Sequence, residues 1–435
     1  MGEAAVPHNH WGEPCQFNTP VTPVASEHNG SAGAMGRRSL VDQLGRLRNL
    51  SILLRPKEVA AAVHFMRNQT VLSTREHLEL TADGILNASQ HSPDRGYSMT
   101  YSLYLGWATG YVETTGYIIP TVLDLAKLLC REDLRADALK QGEWLLIHQF
   151  KDGSFPDASR LKPEVFDTGQ VLIGLQRLFV ETRDERYRAA GLRAAEWLAG
   201  KLVGASRNDA GAAVDVPTFN TRSAAAVIDF GKTHGAAHLV EAGSKFLDWA
   251  SKQKLPSGLF QHSQLGGDED FLLHTIVYVL EGFLHAHAVL GEQRWLDLAI
   301  EGAEPLKRIN LEREAVLYSY YDTNLEPTVR ERCLTGLSQW AGVCLRLYEL
   351  TGDTDYRDCA SNSLFYVKSK QVQWSGQLRG ALPGSVPFWG RYTPMSFPNW
   401  NIKFFADALL KWTALGLDSW QQLGNLKMKK STTGR

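Results

Sequence analysis

An internal repeat of about 53 residues is the feature that most constrains the fold of this chain. Trp144, Trp197 and Trp249 follow one another at spacings of 53 and 52 residues, each inside an amphipathic segment. A second, more apolar series runs out of phase with the first, and its aligned threonines are spaced 53, 53, 54 and 60 residues apart. Such periods indicate supersecondary units that stack on one another. The aligned threonines are Thr115, Thr168, Thr221, Thr275 and Thr335.

Each repeat unit contains the patterns of two helices. The segments EWLLIHQ (143–149) and EWLAGKL (196–202) belong to amphipathic helices with a charged face, which are predicted to lie outside. The segment LHTIVYVLEGFLHAHAVLG from Leu273 is apolar nearly all round and is predicted to be an inner, buried helix. Turns that pair glycine with an aromatic residue, such as GSF at 153–155, separate the units.

Six inner helices with outer partners predict an all-α fold, the (α/α)6 toroid, in which six helical hairpins form a closed ring. An open solenoid is the alternative, and it is disfavoured because neither end carries a polar capping repeat. The first outer helix is predicted at 56–70, and the last inner helix is predicted to end near Trp412. We expect a flexible N-terminal arm (1–37), a single toroid domain (38–420) and a basic polar tail (421–435).

Composition narrows the class of protein. The 435 residues would fit two or three ordinary domains or one large closed fold. The 46 Lys and Arg nearly balance the 47 Asp and Glu, which argues against a bulk attraction to nucleic acid or an anionic membrane. Long apolar runs of about 18 residues are missing, so no bilayer-spanning helix is expected.

Localisation and cofactors are predicted from what the sequence lacks. Five cysteines without a CxxC pair indicate a reducing compartment, and the N-terminus does not resemble a secretory signal, so we expect a cytoplasmic protein. No GxGxxG, Walker A, GxSxG or standard zinc motif occurs, and neither a metal nor a cofactor is expected.

The layout resembles the six-hairpin glycosidase-like superfamily over about residues 40–415. The resemblance rests on the 53-residue repeat, on Gly-aromatic turns such as GLF at 258–260, and on polar residues that begin the apolar helices. It implies carbohydrate chemistry, namely hydrolysis, β-elimination or epimerisation of sugars. It also implies an active site at the barrel mouth, beside the N-terminal ends of the inner helices.

Glu113 and Asp167 are the predicted catalytic acid/base pair. A glycosidase needs one protonated carboxyl and one ionised carboxylate. Neighbouring inner helices should lie roughly 10 Å apart, which favours the inverting geometry. The alternative is that these residues cap their helices. Three loop acids are alternatives to Asp167 as the catalytic partner of Glu113, namely Asp157, Asp268 and Asp270. Their simpler explanation is that they stabilise turns.

Arg222 is predicted to bind an acidic group of the substrate, a uronate or a sulfate. An arginine in an apolar helix needs a carboxylate partner, either on the substrate or within the protein. Arg391 and Lys403, near the last inner helix, would assist it. The alternative for Arg222 is an internal salt bridge with Glu113 or Asp167.

Further residues at the inner-helix starts complete the predicted substrate site. His274 is either a proton carrier or a hydrogen-bonded core histidine. Flat aromatic faces suit the apolar faces of pyranose rings, although core packing would account for them equally well. The remaining predicted substrate-binding residues are Tyr117, Asn220, Trp340 and Trp400, with Trp389 as a further aromatic candidate.

Three functions follow from this site. The favoured one is a glycoside hydrolase that acts on an oligo- or polysaccharide, uronate-containing ones included, through carboxylate acid/base catalysis. The second is a polysaccharide lyase or uronate C5-epimerase, in which Asn220, Arg222 or His274 neutralises the C6 carboxylate and a Tyr or His takes the C5 proton. The third is a toroid that binds a glycan or a protein without catalysis.

Overall fold

The computed structural model describes residues 67–206, 215–266, 268–374 and 376–418. Twelve α-helices alternate between an outer and an inner layer in these ranges. The predicted arm and tail lie outside the described residues. The outer helices are α1 (Thr74–His91), α3 (Glu132–His148), α5 (Glu185–Ala205), α7 (Ala237–Ser251), α9 (Gln293–Arg308) and α11 (Thr354–Lys368). The inner helices are α2 (Val112–Leu129), α4 (Val165–Thr182), α6 (Thr221–His234), α8 (Leu273–Leu290), α10 (Leu334–Thr351) and α12 (Asn399–Ala414).

The inner helices form a closed ring, as the repeat predicts. Each inner helix contacts the next one in chain order, and α12 contacts α2, which completes the circle. The outer partner of α12 is α1, so the first and last helices of the described chain form the sixth hairpin. The side chains of His77 and Gln371 join the same region by a 2.6 Å hydrogen bond.

The predicted first outer helix is wrong in the part that the structure describes. Residues 67–70 are irregular, and residues 56–66 lie outside the described ranges. Helix α1 begins at Thr74, where Ser73 accepts a hydrogen bond from the Glu76 amide and Glu76 bonds back to Ser73. This capping box satisfies amides that the first turn leaves unpaired, and it explains why the helix begins there.

Small residues let the inner helices approach closely. A Cβ atom on Gly116 would lie 2.6 Å from Cα of Val171, and one on Gly174 would collide with the carbonyl oxygen of Gly116. Helices α2 and α4 therefore touch backbone to backbone. Gly169 meets Ser223 of α6 in the same way.

Two of the repeated threonines anchor Gly-aromatic turns to their inner helices. The Thr115 hydroxyl accepts a 3.1 Å hydrogen bond from the amide of Tyr97, and the Thr168 hydroxyl accepts a 2.9 Å bond from the amide of Phe155. Both threonines are fully buried. A buried amide without such a partner would be costly, so a hydroxyl is favoured at these two positions.

Within the described part of the chain, seven short strands lie in the loops at the N-terminal ends of the inner helices, the end called the mouth below. They form three small antiparallel sheets, and one of these joins the first loop to the last. The strands are β1 (Thr100–Ser102) paired with β2 (Gly106–Trp107) and β7 (Ser396–Pro398), β3 (Phe271–Leu272) with β4 (Tyr320–Tyr321), and β5 (Arg332–Cys333) with β6 (Ser385–Val386).

Helix α8 is long and apolar enough to cross a membrane by length and composition, contrary to the expectation that no such segment exists. In the structure, 72% of it is buried inside the protein. Its apolar surface is used for packing as an inner helix of the ring.

Candidate active site

The predicted acid pair lies at the mouth on two adjacent inner helices. Glu113 is the second residue of α2, Asp167 is the third residue of α4, and both are fully buried. The phenol of Tyr111, which directly precedes α2, donates a 2.7 Å hydrogen bond to Oδ2 of Asp167. Glu164, not Asp167, caps α4 by accepting from the Phe166 amide. The capping alternative for Asp167 is therefore wrong.

The surroundings of Asp167 favour its protonated form. Burial raises the pKa of Asp167 well above its ordinary value, the charge of Glu164 raises it further, and the hydrogen bond from Tyr111 lowers it in part. Oδ1 of Asp167 makes no hydrogen bond with the described residues. Burial, together with Asp167 and Glu113, also raises the pKa of Tyr111 well above 10, so the phenol keeps its proton.

A row of polar side chains continues from α4 to α6. Asn220 is the last residue of a short 3-10 turn, and its Oδ1 accepts a 3.0 Å hydrogen bond from the Ser223 hydroxyl. Nε2 of Gln170, one turn after Asp167, lies 3.5 Å from the same hydroxyl. Asn220 is thus placed beside the acid-bearing helix.

Arg222 pairs with a glutamate that the sequence analysis did not single out. Its Nη1 lies 3.4 Å from Oε2 of Glu281, so the predicted bridge to Glu113 or Asp167 is wrong. The guanidinium is buried, and none of its nitrogens donates a hydrogen bond to the described residues. Glu281 is the only Asp, Glu, Lys or Arg in α8, and this isolation in an apolar helix was the available sequence signal.

Glu281 is poised to titrate near neutral pH. Burial raises its pKa to about 7, although Arg222, Lys403 and a 3.2 Å hydrogen bond from Gln339 all favour the charged form. The buried cations therefore offset only part of the cost of removing this carboxylate from water.

His274 is a core histidine rather than a proton carrier in this structure. Its Nδ1 bonds Oε1 of Gln339, and its Nε2 lies 2.8 Å from the phenol oxygen of Tyr278. Burial lowers the pKa of His274 to about 3, so the ring stays neutral. Both ring nitrogens are already in use.

Aromatic side chains fill the centre of the ring. Tyr278 of α8 packs on Phe166 of α4, with ring centroids 5.1 Å apart, and Tyr117 stacks on Phe404 at 6.1 Å. Burial raises the pKa of Tyr278, and the charge of Glu113 on the opposite helix α2 contributes. Tyr278 therefore reaches across the axis. Predicted sugar platform Tyr117 is fully buried in this lining.

The predicted tryptophan platforms differ in exposure. Trp340 donates a 3.0 Å hydrogen bond from Nε1 to Asn310, Trp400 donates a 3.2 Å bond to the Tyr392 hydroxyl, and both rings are fully buried. In this structure they are core residues. Trp389 keeps 48% of its surface exposed on a mouth loop.

The loop acids stabilise loops. Asp157 accepts a 2.6 Å hydrogen bond from the Ser159 hydroxyl, as a turn residue does. Asp268 and Asp270 hold the guanidinium of Arg391, at 3.0 and 2.6 Å. Arg391 therefore lies at the mouth already neutralised by two carboxylates.

Lys403 lies within the ring rather than at its rim. Its ammonium is fully buried, pairs with Asp407 and lies 5.7 Å from the Tyr117 ring centroid. Thr121 donates a 2.7 Å hydrogen bond to Asp407. Within the described ranges, no three His, Cys, Asp or Glu side chains are arranged to hold a metal ion.

The (α/α)6 toroid fold is shared by several solved structures. The structure resembles an unsaturated glucuronyl hydrolase specific for heparin, with a TM-score of 0.63 and 14% identity over 79% of this chain and 97% of that one. The unsaturated glucuronyl hydrolase of Bacillus sp. GL1 matches at a TM-score of 0.58 and 13% identity, covering 77% and 94% of the two chains. Cellobiose 2-epimerase from Bacillus thermoamylovorans matches at a TM-score of 0.57 and 11% identity, over 75% of this chain and 95% of that one. No protein-family model and no curated protein sequence matches the chain.

Proposed function

We propose that the protein is a carbohydrate-active enzyme that hydrolyses a glycosidic bond at the mouth of the ring. The observation that carries the proposal is the Asp167 carboxyl, which is buried, has a raised pKa, and is bonded at one oxygen by Tyr111. Burial favours the protonated form of such a carboxyl, which can then donate its proton to a leaving oxygen. Superfamily architecture and the carbohydrate-active structural neighbours support the substrate class.

Asp167 acts as the general acid and Glu113 as the second carboxyl. Tyr111 holds Oδ2 of Asp167, which leaves Oδ1 for the proton that passes to the glycosidic oxygen. Glu113, on the adjacent helix, activates the attacking water as a carboxylate. One acid and one base on neighbouring helices meet the minimum requirement for glycoside hydrolysis.

An acidic group on the sugar is the partner that we assign to Arg222. A buried guanidinium whose N–H groups donate no hydrogen bonds is costly, and the single contact with Glu281 at 3.4 Å meets little of that cost. A carboxylate or sulfate would supply paired acceptors for the guanidinium fork. The preferred substrate is therefore a uronate-containing or sulfated oligosaccharide.

Substrate entry in this proposal requires the mouth to open, because both carboxyls are buried. Residues 157–163 precede α4, and within them Arg160 bonds Asp94 and, at 2.5 Å, the carbonyl oxygen of Gly110. Gly110 directly precedes Tyr111. We propose that release of this Arg160 contact uncovers Asp167. Arg160→Gln is expected to speed backbone hydrogen exchange at residues 110–113.

The test is turnover of matched acidic and neutral oligosaccharides, followed by reducing-end release, ultraviolet absorbance and product epimerisation. Asp167→Asn is expected to abolish the release of reducing ends. Asp137→Asn is the matched control, because Asp137 is another buried aspartate with a raised pKa, on outer helix α3. A rise in ultraviolet absorbance that accompanies the reducing ends would replace hydrolysis by elimination, because both reactions release reducing ends and only elimination forms the absorbing double bond. An epimerised product without reducing ends would replace hydrolysis by epimerisation. Binding without any product would leave a non-catalytic toroid.

A further inference from the structure

A second concave site lies on the mouth side of the ring, outside the candidate active site. It is a cleft of about 590 Å³ between the ends of outer helices α9 and α11. Strand β5 contributes to it just before α10, and Tyr366 contributes from the last turn of α11. The lining residues are Glu314, Ala315, Val316, Tyr318, Arg330, Arg332, Tyr366, Val386 and Pro387.

Two arginines give this cleft unused hydrogen-bonding capacity. The exposed side chain of Arg330 makes no ion pair or hydrogen bond with the described residues. Arg332 is half-buried, and its one polar contact is a long one, 3.4 Å from Nη2 to Oε2 of Glu314. A guanidinium carries five donors in a planar fork. Most of the donors at these two positions are therefore available to a ligand.

The geometry holds Arg332 in a fixed orientation. Its guanidinium lies 3.4 Å from the centroid of the Tyr318 ring. The Tyr318 hydroxyl donates a 3.0 Å hydrogen bond to Glu314, and its backbone amide donates 2.9 Å to the Tyr321 phenol. Arg332 is stacked on Tyr318, and hydrogen bonds hold Tyr318 in place. Little side-chain entropy is therefore lost when Arg332 binds an anion.

We propose that this cleft binds an acidic saccharide of one to three rings, as a site separate from the mouth. Two arginines against one glutamate leave an excess of positive charge, and guanidinium forks match carboxylate and sulfate groups. Val316, Val386 and Pro387 supply an apolar wall for the carbon face of the sugar. A volume of about 590 Å³ is within the range of small-molecule sites. The saccharide part of this assignment rests on the proposed function.

The test is calorimetric titration of the full chain with trigalacturonate, glucose 6-sulfate and neutral maltotriose, with inorganic sulfate as the simple anion. Arg330→Gln is expected to weaken binding of the acidic sugars about 10-fold, and adding Arg332→Gln about 100-fold. Arg313→Gln is the matched control, because Arg313 is a nearby surface arginine that pairs with Glu326 at 2.8 Å and does not line the cleft. It is expected to change affinity less than 2-fold.

Hydrogen exchange locates the binding event. Trigalacturonate is expected to protect residues 314–318 and 330–333, and the protection should persist in Asp167→Asn. If maltotriose binds as tightly as trigalacturonate, or if inorganic sulfate protects the cleft as well as the sugars do, the saccharide assignment is wrong. Unchanged affinity in the double variant overturns the site itself. If the cleft is protected from hydrogen exchange but no oligosaccharide is turned over, the proposed function is rejected and this site is kept. If oligosaccharide is turned over but the cleft is not protected, this site is rejected and the proposed function is kept.

Discussion

The phenol of Tyr111 donates a 2.7 Å hydrogen bond to one carboxyl oxygen of Asp167, while the other oxygen has no hydrogen-bond partner among the described residues. This asymmetry separates an oxygen that is held from an oxygen that carries the transferable proton. The hydrogen bond joins the segment before α2 to the first turn of α4. Tyr111 orients the carboxyl, and Asp167 donates the proton.

Replacing Asp167 by asparagine is expected to lower kcat/KM by roughly 100- to 10,000-fold, the usual loss when a general acid is removed. The amide keeps the shape of the carboxyl and still accepts from Tyr111, so the fold is retained. Steady-state kinetics and a thermal unfolding curve check both statements. A loss of less than 10-fold in a folded variant would reject Asp167 as the acid.

Tyr111→Phe is expected to move the alkaline limb of the pH–rate profile to higher pH. The hydrogen bond from Tyr111 stabilises the charged carboxylate and lowers the pKa of Asp167, so its removal raises that pKa. Activity requires protonated Asp167 and would persist to higher pH, by roughly half to one pH unit. The profile of kcat/KM measures the shift. A shift toward acid, or none, would contradict this role of Tyr111.

Glu281 is expected to make the protein less stable as the pH rises from 5 to 7.5. Its pKa is 4.5 in the reference state and about 7 in the folded protein, so the native state binds the extra proton within this window. As the pH rises through this window, the unfolded chain ionises before the native state does, and the free energy of unfolding falls by roughly 2–3 kcal/mol. Urea unfolding at the two pH values measures the change.

Glu281→Gln is the matching control, because it removes the titrating group. The difference in unfolding free energy between pH 5 and 7.5 should shrink by that amount in the variant. An identical pH dependence in both proteins would show that Glu281 does not titrate in this range.

Gly174→Ala is expected to destabilise the protein by roughly 1–3 kcal/mol, because the added methyl would force α2 and α4 apart. A Cβ there collides with the carbonyl oxygen of Gly116. Gly342→Ala is the matched control: it lies within inner helix α10, and its Cβ would meet nothing within 4 Å. Alanine there should add roughly 0.5–1 kcal/mol from helix propensity. Chemical denaturation of both variants tests the ring contact, and equal effects would contradict it.

The repeat in the sequence predicted the ring, and it predicted that Glu113 and Asp167 lie near the N-terminal ends of adjacent inner helices. Both results depend on a local pattern, because five of the six inner helices carry an aligned threonine near their start and all six are rich in apolar and small residues. The helix partners of Arg222 could not be predicted in this way. If Thr221 and Thr275 were at the same height along the ring axis, as the sequence alignment predicts, they would lie side by side. Instead, the Thr221 hydroxyl lies 3.3–3.4 Å from the carbonyl oxygens of Tyr278 and Val279, about one turn further along α8. This stagger carries Arg222 to Glu281, and it is set by packing between helices.

The aromatic candidates were ambiguous for a related reason. Trp340 and Trp389 were both candidates for sugar platforms near the mouth. Trp340 is fully buried, whereas Trp389 is half exposed. Residue type alone does not distinguish a core indole from one at a rim. The distinction depends on the element that carries the ring: Trp340 lies within inner helix α10, where its N–H also finds Asn310, whereas Trp389 lies in a mouth loop.

The pairing of α1 with α12 means that the ring closes only after α12, the last of its six inner helices, has been synthesised. Until then, the free flanks of α2 and α10 and the charged side chains between them are open to water and to chaperones. A premature stop codon before residue 399 would release an open circle with two bare apolar flanks, which is a substrate for aggregation and proteolysis.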